Sequence, residues 1–205
     1  MTPKVSDEYK QERKKELIKA AKQVFIQKGY VHTSMQDIMD KAGISRGAFY
    51  SYFDNIDHVF IEVLKYDDQQ DIQMFIMTEG QPLWVSIERW VKEQQSNIEG
   101  IEQSLLHAKA EFFLSSQYVK NKENFPYISK RYEQTIEAIE SVIHKGMEQG
   151  EFEPYVPPNA IARYLISFIN GLMLDTFQLG YDTTKVNDQL NVLLFTLEKM
   201  INPRF

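Results

Sequence analysis

The chain has 205 residues, 23 Lys and Arg against 29 Asp and Glu for a net charge of -6, and no cysteine. That length supports a full core without staples, in one domain or in a small domain fused to a larger one, and the missing cysteine excludes disulfides and thiolate metal sites and fits a reducing compartment. No apolar run approaches a membrane span and the opening MTPKVSDEYKQERKKE lacks the apolar centre of a secretory signal, so a cytoplasmic protein with no membrane contact is expected.

Residues 1 to about 8 are polar, and a first helix is predicted from there to about Lys28, with Leu17, Ala20, Ala21, Val24 and Phe25 as its apolar face and Gly29 as its stop. The next stretch, GYVHTSMQDIMDKAGISRGAFYSYF from Gly29 to Phe53, reads as two short helices joined by a sharp turn. Thr33 and Ser34 put hydroxyls where a helix begins, and Met35, Ile38, Met39 and Ala42 follow at the spacing of one buried face. Gly43 can take the left-handed conformation that ends that helix and reverses the chain, while Ile44 plugs the corner. Ser45 can cap a second helix whose Phe49 and Phe53 face inward, which leaves Ser45, Arg46, Gly47, Tyr50 and Ser51 at or near its outer face.

That outer face is small, polar, cationic and aromatic, which suits a helix entering the major groove of DNA: small residues let the backbone approach, a guanidinium can pair with guanine or phosphate, and hydroxyls bind phosphate oxygens. A helical hairpin with a glycine turn is also common inside proteins that never touch nucleic acid. Charge divides along the chain in favour of DNA. Residues 1–53 hold 10 Lys and Arg against 6 Asp and Glu, and the remainder 13 against 23. A basic N-terminal part on an acidic body directs the former at phosphate and the latter away from it.

After Phe53, Asp54 or Asn55 can cap a fourth helix carrying Val59, Phe60, Val63, Leu64 and Tyr66 toward Met77. Gly80 to Pro82 breaks the chain, and a helix with Leu83, Trp84, Ile87, Trp90 and Val91 on its buried side follows, as far as Gly100. Ile101 to about Gln117 and Tyr127 to Met147 are further helices, separated by a polar loop at Lys120 to Asn124. Pro158 starts a helix that is apolar nearly all round, and a last helix spans about Val186 to Ile201. The reading is all-α with about nine helices, three of them in the N-terminal part, and no strand alternation or repeat.

Catalytic and metal signatures are weak. His107 with Glu111, and Glu140 with His144, stand four apart on helices, but neither pair has a third ligand at a convincing spacing, so no metal and no cofactor are expected. No glycine-rich phosphate loop or nucleophile elbow is present. The aromatic and sulfur-rich positions Trp84, Trp90, Phe112, Phe113, Phe168, Met173 and Phe177, with Glu111 and Asn170 as polar atoms, could line an apolar cavity or simply fill a core.

The string AGISRGAFYSYF, with Gly29, Tyr30, Thr33, Ser34, Met35 and Ile38 before it, resembles the signature of the TetR family of bacterial transcriptional regulators over about the first quarter of the chain. The family usually has a lysine at the start of the next helix, where this chain has Ile56; the backbone amides there could still hold a phosphate. The resemblance implies a DNA-binding domain at 1–54 and an effector-binding and dimerisation domain at 55–205. It further implies contacts to a pseudo-palindromic operator from Thr33, Ser34, Ser45, Arg46, Gly47, Tyr50, Ser51, Tyr52 and Asn55, and a pocket for a small hydrophobic or cationic effector. Its last two helices pair across a two-fold axis in a homodimer, with Ile166, Ile169, Leu172, Leu193, Leu194 and Leu197 as candidates. A repressor released by its effector is the expected function; the rival is an all-helical enzyme or carrier whose hairpin is structural, which predicts a polar, carboxylate-lined cleft and no salt-dependent DNA binding.

Overall fold

The structure, a computed structural model, describes residues 7–72 and 81–204, the side chains of 69–72 excepted. The expected continuation of the fourth helix to Met77 and the break at Gly80 lie outside the described residues. The apolar periodicity becomes helix throughout: α1 (Asp7–Lys28), α2 (Met35–Ala42), α3 (Arg46–Tyr50), α4 (Ile56–Ile72), α5 (Leu83–Glu99), α6 (Leu106–Leu114), α7 (Ser116–Lys120), α8 (Pro126–Glu148), α9 (Pro158–Leu179), α10 (Tyr181–Thr184) and α11 (Val186–Ile201). The fold is all-α.

Two of the eleven, α7 and α10, are short helices that periodicity does not resolve. Ser115 ends α6 in an extended conformation and its hydroxyl accepts from the Tyr118 amide at 3.1 Å, so a second helix starts where one was expected to run on to about Gln117. Gly180 ends α9 at φ +86°, and α10 forms in the turn before α11. Residues 101–103 form only a 3-10 turn ahead of α6.

Contacts divide the chain into two compact units, one taking in residues 1–70 and 103–121 and the other 71–102 and 122–205, as far as these are described. In the first, Leu17, Ala21 and Phe25 of α1, Ile38 of α2, Phe49 and Phe53 of the α3 region, and Val59, Phe60, Val63 and Leu64 of α4 are all buried. Phe112 of α6 joins them: its ring lies 5.0 Å from both Tyr30 and Phe60, and Phe60 lies 4.9 Å from Phe25. Burying a side chain of this size contributes about 1.5–3 kcal/mol, so this aromatic cluster is a main source of cohesion for the unit.

The same unit is laced by ion pairs. Asp67 on α4 accepts from Lys22 of α1 at 2.5 Å and from Lys109 of α6 at 2.9 Å, and Glu62 on α4 accepts from Lys14 at 2.5 Å and Lys65 at 2.6 Å. Burial alone would raise the Asp67 carboxyl, but Lys109 and Lys22 outweigh it and hold it below the usual carboxylate range. Glu62 is held low in the same way by Lys14 and Lys65 against its burial.

The second unit packs α5, α8, α9 and α11 around one apolar core that includes Leu83, Trp84, Ile87, Val91, Ile139, Ile143, Ile161, Leu165, Leu193 and Leu197. The connector after Gly150 is fixed to the chain end, with the Glu153 amide donating to the Ile201 carbonyl and the Arg204 amide to the Glu151 carbonyl. Phe152 folds back over Gly146 of α8. No described helix is long and apolar enough to cross a membrane.

Candidate nucleic-acid interface

The helix-turn-helix is built by local chemistry. Ser34 caps α2: its hydroxyl accepts from the Asp37 amide at 3.2 Å while the Asp37 carboxylate accepts from the Ser34 amide at 2.9 Å, a reciprocal box. Lys28 adds a 2.5 Å ion pair, and Lys28 with Ser34 draws the Asp37 carboxyl down to about 2. Gly43 takes φ +60°, ψ +41°, and the amides of Gly43 and Ile44 return to the Asp40 and Met39 carbonyls, closing the turn.

From that turn, α3 projects with Phe49 wholly buried and Phe53 nearly so beneath it, while Ser45, Arg46, Gly47, Tyr50 and Ser51 are exposed. Space around Gly47 is open: a Cβ added there would meet nothing within 4 Å. The Arg46 guanidinium lies over the Tyr50 ring, 5.5 Å from its centre. Ser45 stands at the helix start with its hydroxyl unused in capping, and the Ser51 hydroxyl donates to the Ala48 carbonyl at 2.6 Å. Tyr52 is half-buried. Asn55 caps α4, its side-chain oxygen accepting from the His58 amide at 2.9 Å. Thr33 is buried and donates its hydroxyl to the Gly29 carbonyl at 2.5 Å, so among the expected contact residues it faces inward.

The N-terminal excess of positive charge is less free than the sequence count implies. Lys14 and Lys22 answer the carboxylates of α4, and Lys28 answers Asp37. Arg46 is exposed on α3 with its guanidinium on Tyr50.

The expected cavity residues fall in two places. Phe112, Phe113 and Glu111 belong to the first unit, where the Phe112 and Phe113 rings meet each other edge-on and both pack against Tyr118, and where the Glu111 carboxylate accepts from the amides of Tyr30 and Val31. Trp84, Trp90, Phe168, Asn170, Met173 and Phe177 belong to the second. Trp84 is buried, Trp90, Phe168 and Met173 pack against the core, and Asn170 and Phe177 are exposed. A small gap of about 20 Å³ lies in that core, lined by Ile87, Trp90, Ile139, Val142, Ile143, Ile161, Leu165, Leu197 and Ile201. Of the expected pairing residues, Ile169, Leu172, Leu193 and Leu197 sit in the protomer's own core, with Ile166 and Leu194 packed at its edge. Leu174, Phe177, Val192 and Phe195, on the same two helices, are exposed. Among the described residues no three His, Asp or Glu stand close enough to hold a metal.

A helix-turn-helix with an exposed cationic and aromatic face, in an all-helical chain, defines a DNA-binding regulator. Residues 17–63 match the model of bacterial regulatory proteins of the tetR family, and residues 86–187 that of the tetracyclin repressor-like C-terminal domain. The chain belongs to the TetR family of bacterial transcriptional regulators and is not an enzyme. It is 30% identical over 174 residues to the uncharacterized HTH-type transcriptional regulator YfiR of Bacillus subtilis (strain 168), with 84% of each chain covered. It is 26% identical over 160 residues to the HTH-type transcriptional repressor KstR2 of Mycobacterium tuberculosis (strain ATCC 25618 / H37Rv), covering 75% of this chain and 76% of that one. Salmonella enterica GusR shares the fold at a TM-score of 0.75 and 17% identity, over 97% of this chain and 98% of its own. Regulators of this family bind DNA as dimers and respond to small effectors.

Proposed function

We propose that the chain is a repressor that grips an inverted-repeat operator as a homodimer and lets go when a small effector binds. The observation that carries this reading is the exposed face of α3, with Arg46 and Gly47 open to base edges above a buried Phe49. Ser34, Ser45, Tyr50, Ser51, Tyr52 and the start of α4 at Asn55 supply the phosphate contacts, and Thr33 supports the corner beneath them. Residues 1–54 read DNA, and residues 55–205 hold the effector and make the dimer. With Ile56 in place of a lysine, the amides at the start of α4 take the phosphate instead.

Exposed Leu174 and Phe177 on α9 and Val192 and Phe195 on α11 support the dimer, since apolar side chains gathered on two neighbouring helices mark an interaction surface. Two heads must reach successive major grooves about 34–36 Å apart, which one copy cannot do. The effector is a small hydrophobic or cationic molecule; the gap beside Trp90, at about 20 Å³, has room for about one water and does not choose between them. Binding that favours a state with wrongly spaced heads needs about 2.7 kcal/mol of coupling for a hundredfold loss of operator affinity.

Selection of genomic fragments by the purified protein, followed by titration of the best fragment at two salt concentrations, tests the reading. A shared inverted repeat bound by a dimer, with affinity falling steeply as salt rises, supports it. Fragments without a common sequence, bound weakly both before and after unfolding and refolding to strip any retained small molecule, would sink it.

A further inference from the structure

Glu111 lies on α6, eighty residues along the chain from the corner between α1 and α2, yet its carboxylate is seated on that corner. Gly29 ends α1 at φ +75° and turns the next two amides the same way; Oε2 of Glu111 accepts from Tyr30 N–H at 2.6 Å and from Val31 N–H at 3.0 Å. Its other oxygen, Oε1, lies 3.1 Å from Nε2 of His107, one turn earlier on α6. Successive amides aimed at one point form a concave anion site, and here a side chain of the same protein fills it. The fit is close: a Cβ on Gly29 would stand 2.4 Å from Oε2.

The held corner leads straight into the DNA-reading elements. Two residues past Val31, Thr33 returns its hydroxyl to the Gly29 carbonyl, and Ser34 caps α2, which sets α3 through the Gly43 turn. We propose that Glu111 is a positioning residue for operator binding: from α6 it fixes the corner between α1 and α2, and through it the placement of α3. This rests on the DNA-binding reading above. Glu111 touches no nucleic acid in this scheme. Its removal takes the shared acceptor from the half-buried Tyr30 amide and the exposed Val31 amide and lets the corner move, so that α3 meets the groove in a spread of settings. The helix itself stays docked, because Lys109 is bound to Asp67 on α4 and the buried Phe112 ring packs against Phe60 of the same helix.

The test uses the full-length protein and the genomic duplex that the wild-type protein selects. Glu111→Ala is expected to speed hydrogen exchange at the Tyr30 and Val31 amides and to weaken binding about tenfold or more, the loss of one or two hydrogen bonds to a charged group. The dependence of affinity on salt should stay as in wild type, since no phosphate contact is lost. Glu111→Gln, which keeps an acceptor oxygen, should recover most of the affinity. Lys109→Ala, which loosens α6 without touching the corner, should bind within about threefold of wild type. A folded Glu111→Ala protein with wild-type affinity would overturn the proposal, as would an equal loss in Lys109→Ala, which would reduce the effect to general loosening of α6. Failure of the wild-type protein to select any duplex is seen before a variant is made, and overturns the DNA-binding reading itself.

Discussion

Arg46 and Tyr50 stand one helical turn apart on α3, the guanidinium carbon 5.5 Å from the centre of the phenol ring. The contact is worth about 0.5–1 kcal/mol at an exposed site, enough to narrow the orientations of a long cationic side chain before DNA arrives. It separates the two residues' roles. Tyr50→Phe keeps the ring under Arg46 and removes the hydroxyl, so it should weaken every duplex by a similar small factor. Arg46→Ala should also lower discrimination by about 1–3 kcal/mol at a single base pair. Titrations against the selected duplex and its single-base variants measure both. Uniform loss in Arg46→Ala would move base reading to another residue.

Three carboxyls of the N-terminal unit, Asp37, Glu62 and Asp67, are held below their ordinary range, Asp37 at about 2. In the unfolded chain such groups titrate near about 4. Groups depressed on folding stabilise the native state above their unfolded values, and that contribution is lost as the pH falls through about 4 toward about 2. Thermal melts between neutral pH and pH 2 should therefore show the protein losing stability on the acid side. Asp67→Asn should flatten that dependence and cost about 2 kcal/mol at neutral pH, since Lys22 and Lys109 would lose their shared partner. A variant with the same acid profile as wild type would show that the pairs are too well solvated to matter.

What could be read in the sequence was what local chemistry decides. The Ser34 cap, the left-handed Gly43 and the inward Phe49 and Phe53 each follow from a residue and its immediate neighbours, and each stands where periodicity put it. Partners distant in sequence could not be read. A lysine on α1 looks the same in the chain whether it meets phosphate or, as Lys14 and Lys22 do, a carboxylate on α4. Glu111 read as a polar atom for a guest because its spacing on α6 says nothing of the Tyr30 amide 81 positions away. In α9 and α11, apolar on more than one face, composition identifies the stripes without saying which turns inward; the core takes Leu172, Leu193 and Leu197 and leaves Val192 and Phe195 outside.

Gly146 of α8 is a glycine for want of room. A Cβ there would lie 2.0 Å from one ring atom of Phe152 and 2.4 Å from the next, and Phe152 is itself buried. Gly146→Ala gains helix propensity of about 1 kcal/mol in an open site, but here the ring must leave its seat, and overpacking of this kind costs about 1–3 kcal/mol. Urea unfolding should place the variant below wild type. Adding Phe152→Leu should recover part of the loss, a non-additivity that marks direct contact. Additive losses would mean that the two residues act apart.

Phe195 and Val192 are 62% and 59% exposed, and they lie three residues apart on α11 with Lys199 over the Phe195 ring. In an isolated protomer a glutamate at either site would point into water, at little cost to the core. Across a two-fold axis the same change would place like charges face to face in an apolar patch, where each loses hydration without a partner. Phe195→Glu is thus expected to sediment as a monomer at micromolar concentration, with the helical circular dichroism of the parent. Its operator affinity should fall by about a hundredfold or more, because the second head no longer binds at the raised local concentration that linkage provides. Leu193→Glu makes the contrast: wholly buried in the protomer, it should lose the fold itself. A Phe195→Glu protein that still sediments as a dimer would place the two-fold contact on another face.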